Sequence, residues 1–491
     1  MRFCGLDVGT SGVKALVFDE KGNPISGAYR TYNIQVAEDG TRFLKAGELW
    51  QKTKEAFAEA AGDMPPDCLC TDSFGEAFVA LDSKGNVICD PMLFTDRWGE
   101  QEYYEAEKKT SAAEIAAICG LPLSPSYSLS KILYLQTERP DIYQKIHKIL
   151  LIQDFVNYMF SGETGGVDYS SACRTMFFDV RRCEWSLYLI EKFGLNAEHY
   201  SAPIPMGTVL GKVHRSLMDE LGLKGDIRVI TGGHDQPVNA IGAGLREGYA
   251  VNSMGTSECI TPIIDSMLPR DFTAGRCIPS EPLWEKGKFC CLAYNQTSGL
   301  LVQWFAGIVA GEQESPLSYL DQHVPPEPTR IMVQPYLMGS GTPYMDLGAR
   351  LAMAGIDYGT TKFSLYRAIL EGLVLDQRLN LSVLADEHVL VKHLIAVGGG
   401  SKSRPWLGIK ADILEIPVST LEVKEAGALG AAILCAAAAG VYGSISEAAS
   451  NMSRIEQTIE PDLARRDFYA EKFALYRKLR DHVKEESSFA L

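Results

Sequence analysis

Apolar positions along the chain fall into short β-rich runs broken by glycine turns, alternating with longer segments of helical period. The first twenty residues set the figure: two apolar, partly β-branched runs flank the polar loop Asp7-Val-Gly-Thr-Ser-Gly12, which predicts strand, tight turn, strand. Lys21-Gly-Asn-Pro24 is a turn, and 25–36 carries a third strand-like run. Helical spacing over 47–61 sets Leu49, Trp50 and Phe57 on one face. Strands are expected at 68–71 and 77–81, around the loop Asp72-Ser-Phe-Gly-Glu76. A charged helix is expected to open at Thr95-Asp-Arg97 and run to Cys119. The helical period continues from Ser128, with Pro140 starting a new helix at its first turn. Residues 149–155 read as a buried strand or helix, and 165–170 as a polar loop. A strand at 227–231 then runs into Gly232-Gly-His-Asp-Gln-Pro237.

The second half repeats the opening figure. In Tyr249-Ala-Val-Asn-Ser-Met-Gly-Thr-Ser-Glu-Cys-Ile-Thr261 a β-rich run enters a Gly-Thr-Ser turn and another leaves it, as at Gly9-Thr-Ser11. Two copies, one opening each half, suit two related domains around a cleft. Downstream, 365–379 is an amphipathic helix, and Leu394-Ile-Ala-Val-Gly-Gly-Gly-Ser401 is a buried strand ending in three glycines. A helix at 406–414, a strand at 416–419 and a small-residue helix at 426–440 follow; that last helix must pack closely on its neighbours. The charged segment 463–486 reads as a solvated terminal helix.

With 491 residues the chain exceeds one ordinary core, so two or more domains are expected. The apolar fraction of 46% and charged fraction of 22% are those of a globular protein. A net charge of −15 argues against a nucleic acid or an anionic membrane as main partner, so a polyanionic ligand must be met by local N–H groups and a metal. No apolar run reaches membrane-span length and no signal-peptide pattern opens the chain; a cytoplasmic location is expected. The 12 cysteines show no zinc spacing and are expected to be reduced, mainly buried thiols.

Gly9 and Gly12 leave backbone N–H groups uncovered, and Thr10, Ser11 and Lys14 add donors, so the first turn suits phosphate oxygens. A carboxylate there is repulsive unless a cation intervenes, which makes Asp7 a candidate magnesium residue. The plainer reading is a hairpin whose glycines serve turn geometry. The strict nucleotide fingerprints fail: no Gly-x-Gly-x-x-Gly follows a strand, and Gly400-Ser-Lys-Ser403 lacks the Gly-Lys step of a P-loop. Three glycine turns at strand ends remain, at Gly9, Gly255 and Gly398. Asp235, after a buried strand and a Gly-Gly turn, is the candidate for proton chemistry; its alternative is to cap a helix starting near Val238.

Asp7-Val-Gly-Thr-Ser-Gly-Val-Lys14, Gly233-His-Asp-Gln236, Ser253-Met-Gly-Thr-Ser257, Gly398-Gly-Gly-Ser401 and Glu425-Ala-Gly-Ala-Leu-Gly-Ala-Ala-Ile433 together resemble the motifs of FGGY carbohydrate kinases. The resemblance implies an α/β fold of two actin-like (ribonuclease H-like) domains, 1–243 and 244–491, with the active site in the interdomain cleft. It implies ATP and Mg2+, with Asp7 placing the ion, Thr10, Ser11 and Lys14 at the first phosphate loop, Gly255 and Thr256 at the second, and Gly398, Gly399 and Gly400 against the adenosine. Asp235 would be the general base, and Glu76, Asp96, Asp235 and Gln236 the acceptor contacts.

Glu76 falls where xylulokinases carry a histidine and glycerol kinases a glutamate, while His234-Asp235 and Ser73-Phe-Gly75 are similar to deoxy-ketohexose kinases. The expected activity is phosphorylation of a hydroxyl of a small sugar or polyol, with a small molecule as partner and a homodimer compatible with the sequence. The alternatives are an actin-like ATPase or phosphohydrolase without a sugar acceptor, and a non-catalytic sugar-responsive protein. The intact Asp235 weighs against the last.

Overall fold

The computed structural model describes residues 1–485 except 39, 94–97, 164, 310 and 312. Two sheets organise it. The first runs Val209–Lys212, Arg228–His234, Cys68–Ser73, Phe3–Val8, Gly12–Phe18, Pro24–Thr31. Its last three strands form an antiparallel meander, while Phe3–Val8, Cys68–Ser73 and Arg228–His234 are parallel neighbours. The second sheet repeats this connectivity: Glu258–Ile264 pairs antiparallel with Tyr249–Met254, which is followed by the parallel strands His393–Val397 and Val418–Leu421. The central parallel strands are buried along most of their length, which is why they read as continuous apolar runs rather than alternating ones.

In each half, a helix follows the outermost of these parallel strands: Asp235–Gly242 in the first and Ala426–Ala438 in the second. The two helices pack backbone to backbone. A Cβ on Gly242 would lie 1.8 Å from the Ala426 carbonyl oxygen, and one on Gly430 would lie 2.1 Å from that of Val238. The same Ala426–Ala438 helix lies on the first sheet, where a Cβ on Gly5 would be 1.9 Å from the Ala428 oxygen. Alanine and glycine dominate this helix because larger side chains would hold its neighbours apart.

Several elements differ from expectation. The helix expected from 95 to 119 is two helices, Glu100–Lys109 and Ala112–Cys119, and its proposed opening at 95–97 lies outside the described residues. Ser111 starts the second by accepting from the Glu114 N–H at 3.1 Å, a Ser-x-x-Glu cap already present in the sequence. Within the expected loop 165–170, Val167–Asp168 is a short strand, and Asp168 caps the helix Tyr169–Cys173. The terminal helix Arg466–Glu485 is not simply solvated: Tyr469 and Tyr476 are fully buried, and Lys472 pairs with the buried Glu371. Asp72 belongs to the strand Cys68–Ser73, not to the loop after it.

Candidate active site

Strand register gathers the predicted residues at one edge of each sheet. Val8 pairs with Ser73, and Ser73 with His234, so the segments that follow all three strands leave from the same edge. In the second half Ser253 pairs with Val397, which brings the Gly255 and Gly398 turns side by side. Ligands of open α/β sheets collect outside the carboxyl ends of parallel strands.

The first turn closes with the Gly9 N–H donating to Gly12 O at 2.9 Å, and the Tyr32 hydroxyl donates to Gly9 O. Ser11 is exposed and Thr10 half-buried. Lys14 pairs with Glu425, the residue preceding the helix Ala426–Ala438. Asp7 lies in register with Asp72 on the neighbouring strand. Burial pushes the Asp7 carboxyl up to about 6, against the opposing pull of Lys14. Burial, and then the Asp7 and Asp235 charges, hold the Asp72 carboxyl well above the usual range.

Neither oxygen of the fully buried Asp72 meets an N–H or O–H donor. A Cβ on Gly427 would sit 2.9 Å from Asp72 Oδ2 and 3.4 Å from Asp7 Cγ, so the helix start leaves just enough room for both carboxylates. Among the described residues no group of three or more His, Cys, Asp or Glu is arranged to hold a metal by itself. Orphaned carboxylate oxygens beside a phosphate-type turn nevertheless fit magnesium, which takes one or two carboxylates and fills its other positions with phosphate and water.

The second turn is anchored from behind. Gly255 O accepts from the Gly299 N–H at 3.0 Å, and Thr256 O from the Ser298 and Leu300 N–H groups at 3.0 and 3.1 Å, which fastens the turn to the start of the helix Gly299–Val309. Gly255 and Thr256 are exposed. Gly398 has φ +83°, and a Cβ on Gly400 would lie 2.9 Å from Met254 Cβ; glycine lets this turn sit tight behind the second loop. Gly398 and Gly399 are exposed beside it.

The strand Arg228–His234 bulges between Thr231 and Gly233, where a Cβ on Gly232 would be 2.0 Å from Thr71 O. The chain then turns into the helix at Asp235 itself, three residues earlier than the capping alternative required, and no side chain caps this helix. The Asp235 carboxylate is 33% exposed and so open to a ligand. Its Oδ1 accepts from Gln236 Nε2 at 3.1 Å and lies 3.2 Å from His234 Nε2. Gln236 Oε1 in turn accepts from the Ser253 hydroxyl at 3.3 Å, across the two halves.

His234 Nδ1 is 2.8 Å from Oε2 of Glu281, in the strand Ser280–Pro282. Arg174 pairs with both Glu281 and Glu76, and its guanidinium lies over the Tyr127 ring, 4.9 Å from the centroid. Burial would raise the Glu281 carboxyl, but Arg174 and His234 outweigh it and hold it below the usual range. Glu76 itself has φ +67°, a strained conformation for a non-glycine residue, and the Ser128 hydroxyl holds its carbonyl at 3.0 Å. Glu76, Asp235 and Gln236 are therefore brought into one polar cluster. Asp96 lies outside the described residues. The sequence did not single out Tyr32, Asp72, Arg174 or Glu281.

Residues 3–242 match the N-terminal domain, and residues 250–439 the C-terminal domain, of the FGGY family of carbohydrate kinases. The chain belongs to that family. It is a carbohydrate kinase, a phosphotransferase acting on a small-molecule sugar, with the family's two-domain actin-like α/β fold. A xylulose kinase of Staphylococcus xylosus is 23% identical over 486 residues, covering 97% of this chain and 99% of the relative. An autoinducer-2 kinase of Escherichia coli K12 is 27% identical over 504 residues, covering 97% and 92%. A gluconate kinase structure from Lactobacillus acidophilus superposes with a TM-score of 0.90 at 20% identity, covering 99% of each chain. No helix among the described residues is long and apolar enough to cross a membrane.

Proposed function

We propose that this kinase transfers the γ-phosphoryl group of ATP to a hydroxyl of an uncharged small sugar or polyol, a ketopentose, a deoxy-ketohexose or a relative, with Asp235 as general base. One observation carries the reading: a part-exposed carboxylate at the carboxyl end of a buried parallel strand, its Oδ1 tied to His234 and Gln236. Phosphoryl transfer asks for little covalent chemistry from the protein, so a positioned base and charge stabilisation do most of the work. The acceptor hydroxyl gives its proton to the Asp235 carboxylate as its oxygen bonds to the γ-phosphorus. The bond to the bridging oxygen breaks, and ADP leaves with that electron pair.

Glu76, Asp96 and Gln236 would complete the acceptor contacts. Thr10, Ser11 and Lys14 would hold phosphate from one side and Gly255 and Thr256 from the other, with Lys14 giving up Glu425 to do so. Gly398, Gly399 and Gly400 would lie against the adenosine. Asp7, backed by Asp72, would hold the magnesium ion, which when bound offsets phosphate charge. The domains would divide at 243/244.

An uncharged acceptor is favoured by the local balance, in which Glu76, Glu281 and Asp235 outnumber the Arg174 guanidinium. An aldonate would add a further negative charge to that cluster. The test is an ADP-release screen over ketopentoses, deoxy-ketohexoses, tetritols, glycerol and gluconate, followed by Asp235→Asn on the best acceptor. The substitution is expected to lower kcat by about two to four orders of magnitude while ADP binding persists. Near-parental turnover would remove Asp235 from the reaction, and preference for gluconate would overturn the uncharged-acceptor reading.

A further inference from the structure

We propose that Glu281, supplied by the second half of the chain, is a positioning residue for the acceptor site: through His234 it fixes Asp235, and through Arg174 it fixes Glu76. The inference rests on the reading of Asp235 as general base. Glu281 is fully buried on a short strand, where a carboxylate is unfavourable unless both oxygens are matched. Both are. Oε1 takes the Arg174 guanidinium, and Oε2 takes His234 Nδ1 at 2.8 Å.

Each of these partners also faces a second carboxylate: Arg174 pairs with Glu76, and His234 Nε2 lies 3.2 Å from Asp235 Oδ1. A ring with a carboxylate oxygen beside each of its nitrogens is confined in orientation. The backbone is held as well. The His234 N–H donates to the Ser170 hydroxyl at 2.9 Å, and Ser170 is itself bonded to the buried Asp168 at 2.6 Å. Gly75 leaves the room this needs, since a Cβ there would come within 3.1 Å of both Arg174 Cγ and His234 Cδ2.

Glu76, Arg174, His234 and Asp235 all come from the first half of the chain. Glu281 alone comes from the second, so the chain of contacts is complete only when the two halves are together.

The test is a double-mutant cycle on kcat with Glu281→Gln and His234→Gln. Glutamine keeps the shape of Glu281 and one acceptor oxygen but removes its charge. In the parent background Glu281→Gln is expected to lower kcat about tenfold to a hundredfold, as losses of outer-shell hydrogen-bond partners do, with the KM for ATP unchanged and that for the acceptor raised. In the His234→Gln background it is expected to have no further effect on kcat. Equal losses in both backgrounds, or none in either, would overturn the proposal. If the glutamine variant does not fold, Glu281→Asp, which keeps the charge but shortens its reach, runs the same cycle. Asp235→Asn separates the two readings. Activity in that variant defeats the general base, whereas an inactive Asp235→Asn beside a fully active Glu281→Gln defeats the positioning role alone.

Discussion

Replacing Gly430 by alanine tests how tightly the helix crossing controls the chemistry. The added Cβ would lie 2.1 Å from Val238 O, whereas ordinary contact begins at 3.4 Å, so the helices must part by about 1.3 Å. The Ala426–Ala438 helix cannot simply retreat. Ala428, on its opposite face, already touches the first sheet at Gly5, where the corresponding approach is 1.9 Å. The yielding element is the helix Asp235–Gly242, whose first residue is the proposed base.

Overpacking of this kind costs about 1–3 kcal/mol of stability. A displacement of about 1 Å at a reacting group costs on the order of a hundredfold in rate. Gly430→Ala is therefore expected to lose far more activity than stability, although the atoms nearest its Cβ position belong to Val238 and Gly242. A coupled ADP-release assay and urea denaturation measure the two losses. Gly408→Ala is the control, since that helical glycine has open space around its Cβ position and its substitution should be neutral or mildly stabilising. A Gly430→Ala enzyme with parental kcat would refute the reasoning.

Two further outcomes concern buried charge. Lys410 and Glu258 are both fully buried and paired at 2.7 Å, with Glu258 also accepting from the Ser298 hydroxyl beneath the second turn. Lys410→Met strands Glu258 and is expected to cost about 3–5 kcal/mol in urea denaturation, part of which the double change Lys410→Met/Glu258→Gln recovers; a cost near zero for the single change would refute this. Asp154, buried and accepting from Ser201 at 2.6 Å, has its carboxyl pushed by burial up to about 7. Because the folded state holds that proton more tightly than the unfolded chain, the contribution to stability is full below about pH 4 and is lost as pH rises through 7, a change on the order of 4 kcal/mol. Asp154→Asn is expected to flatten this part of the pH profile and to stabilise the protein at pH 8; an unchanged profile would contradict it.

What the sequence disclosed was local. Both Gly-Thr-Ser hairpins and the close-packed helix after Glu425 carry their signals within a dozen residues, in glycine turns and β-branched runs, and they fold as read, whereas the Gly232-Gly233 pair, expected as a turn, is a bulge inside the strand Arg228–His234. Arg174 and Glu281 carry no such signal. They are 107 positions apart, and only the docking of the two halves makes them partners. The segment from 72 to 76 looks like a turn, but the parallel pairing with Phe3–Val8 carries the strand on to Ser73 and sets the carboxylates of Asp7 and Asp72 side by side. Tyr469 and Tyr476 were hidden by the charge of the terminal helix, whose buried stripe becomes evident only against Glu371 and Asp376.

The late helix on the early sheet also sets a clock. Phe3, Phe18, Cys68, Cys70 and Ile230 share a buried cluster with Ala428, Leu429 and Ala432. The parallel strands of that sheet are complete at residue 234, but this cover begins at residue 426. About 190 residues of synthesis separate the two, roughly ten to forty seconds at ordinary elongation rates. For that interval the nascent sheet lacks one covering of its apolar face. The first half can begin to fold as it emerges, but it acquires its finished core only after most of the second has been made.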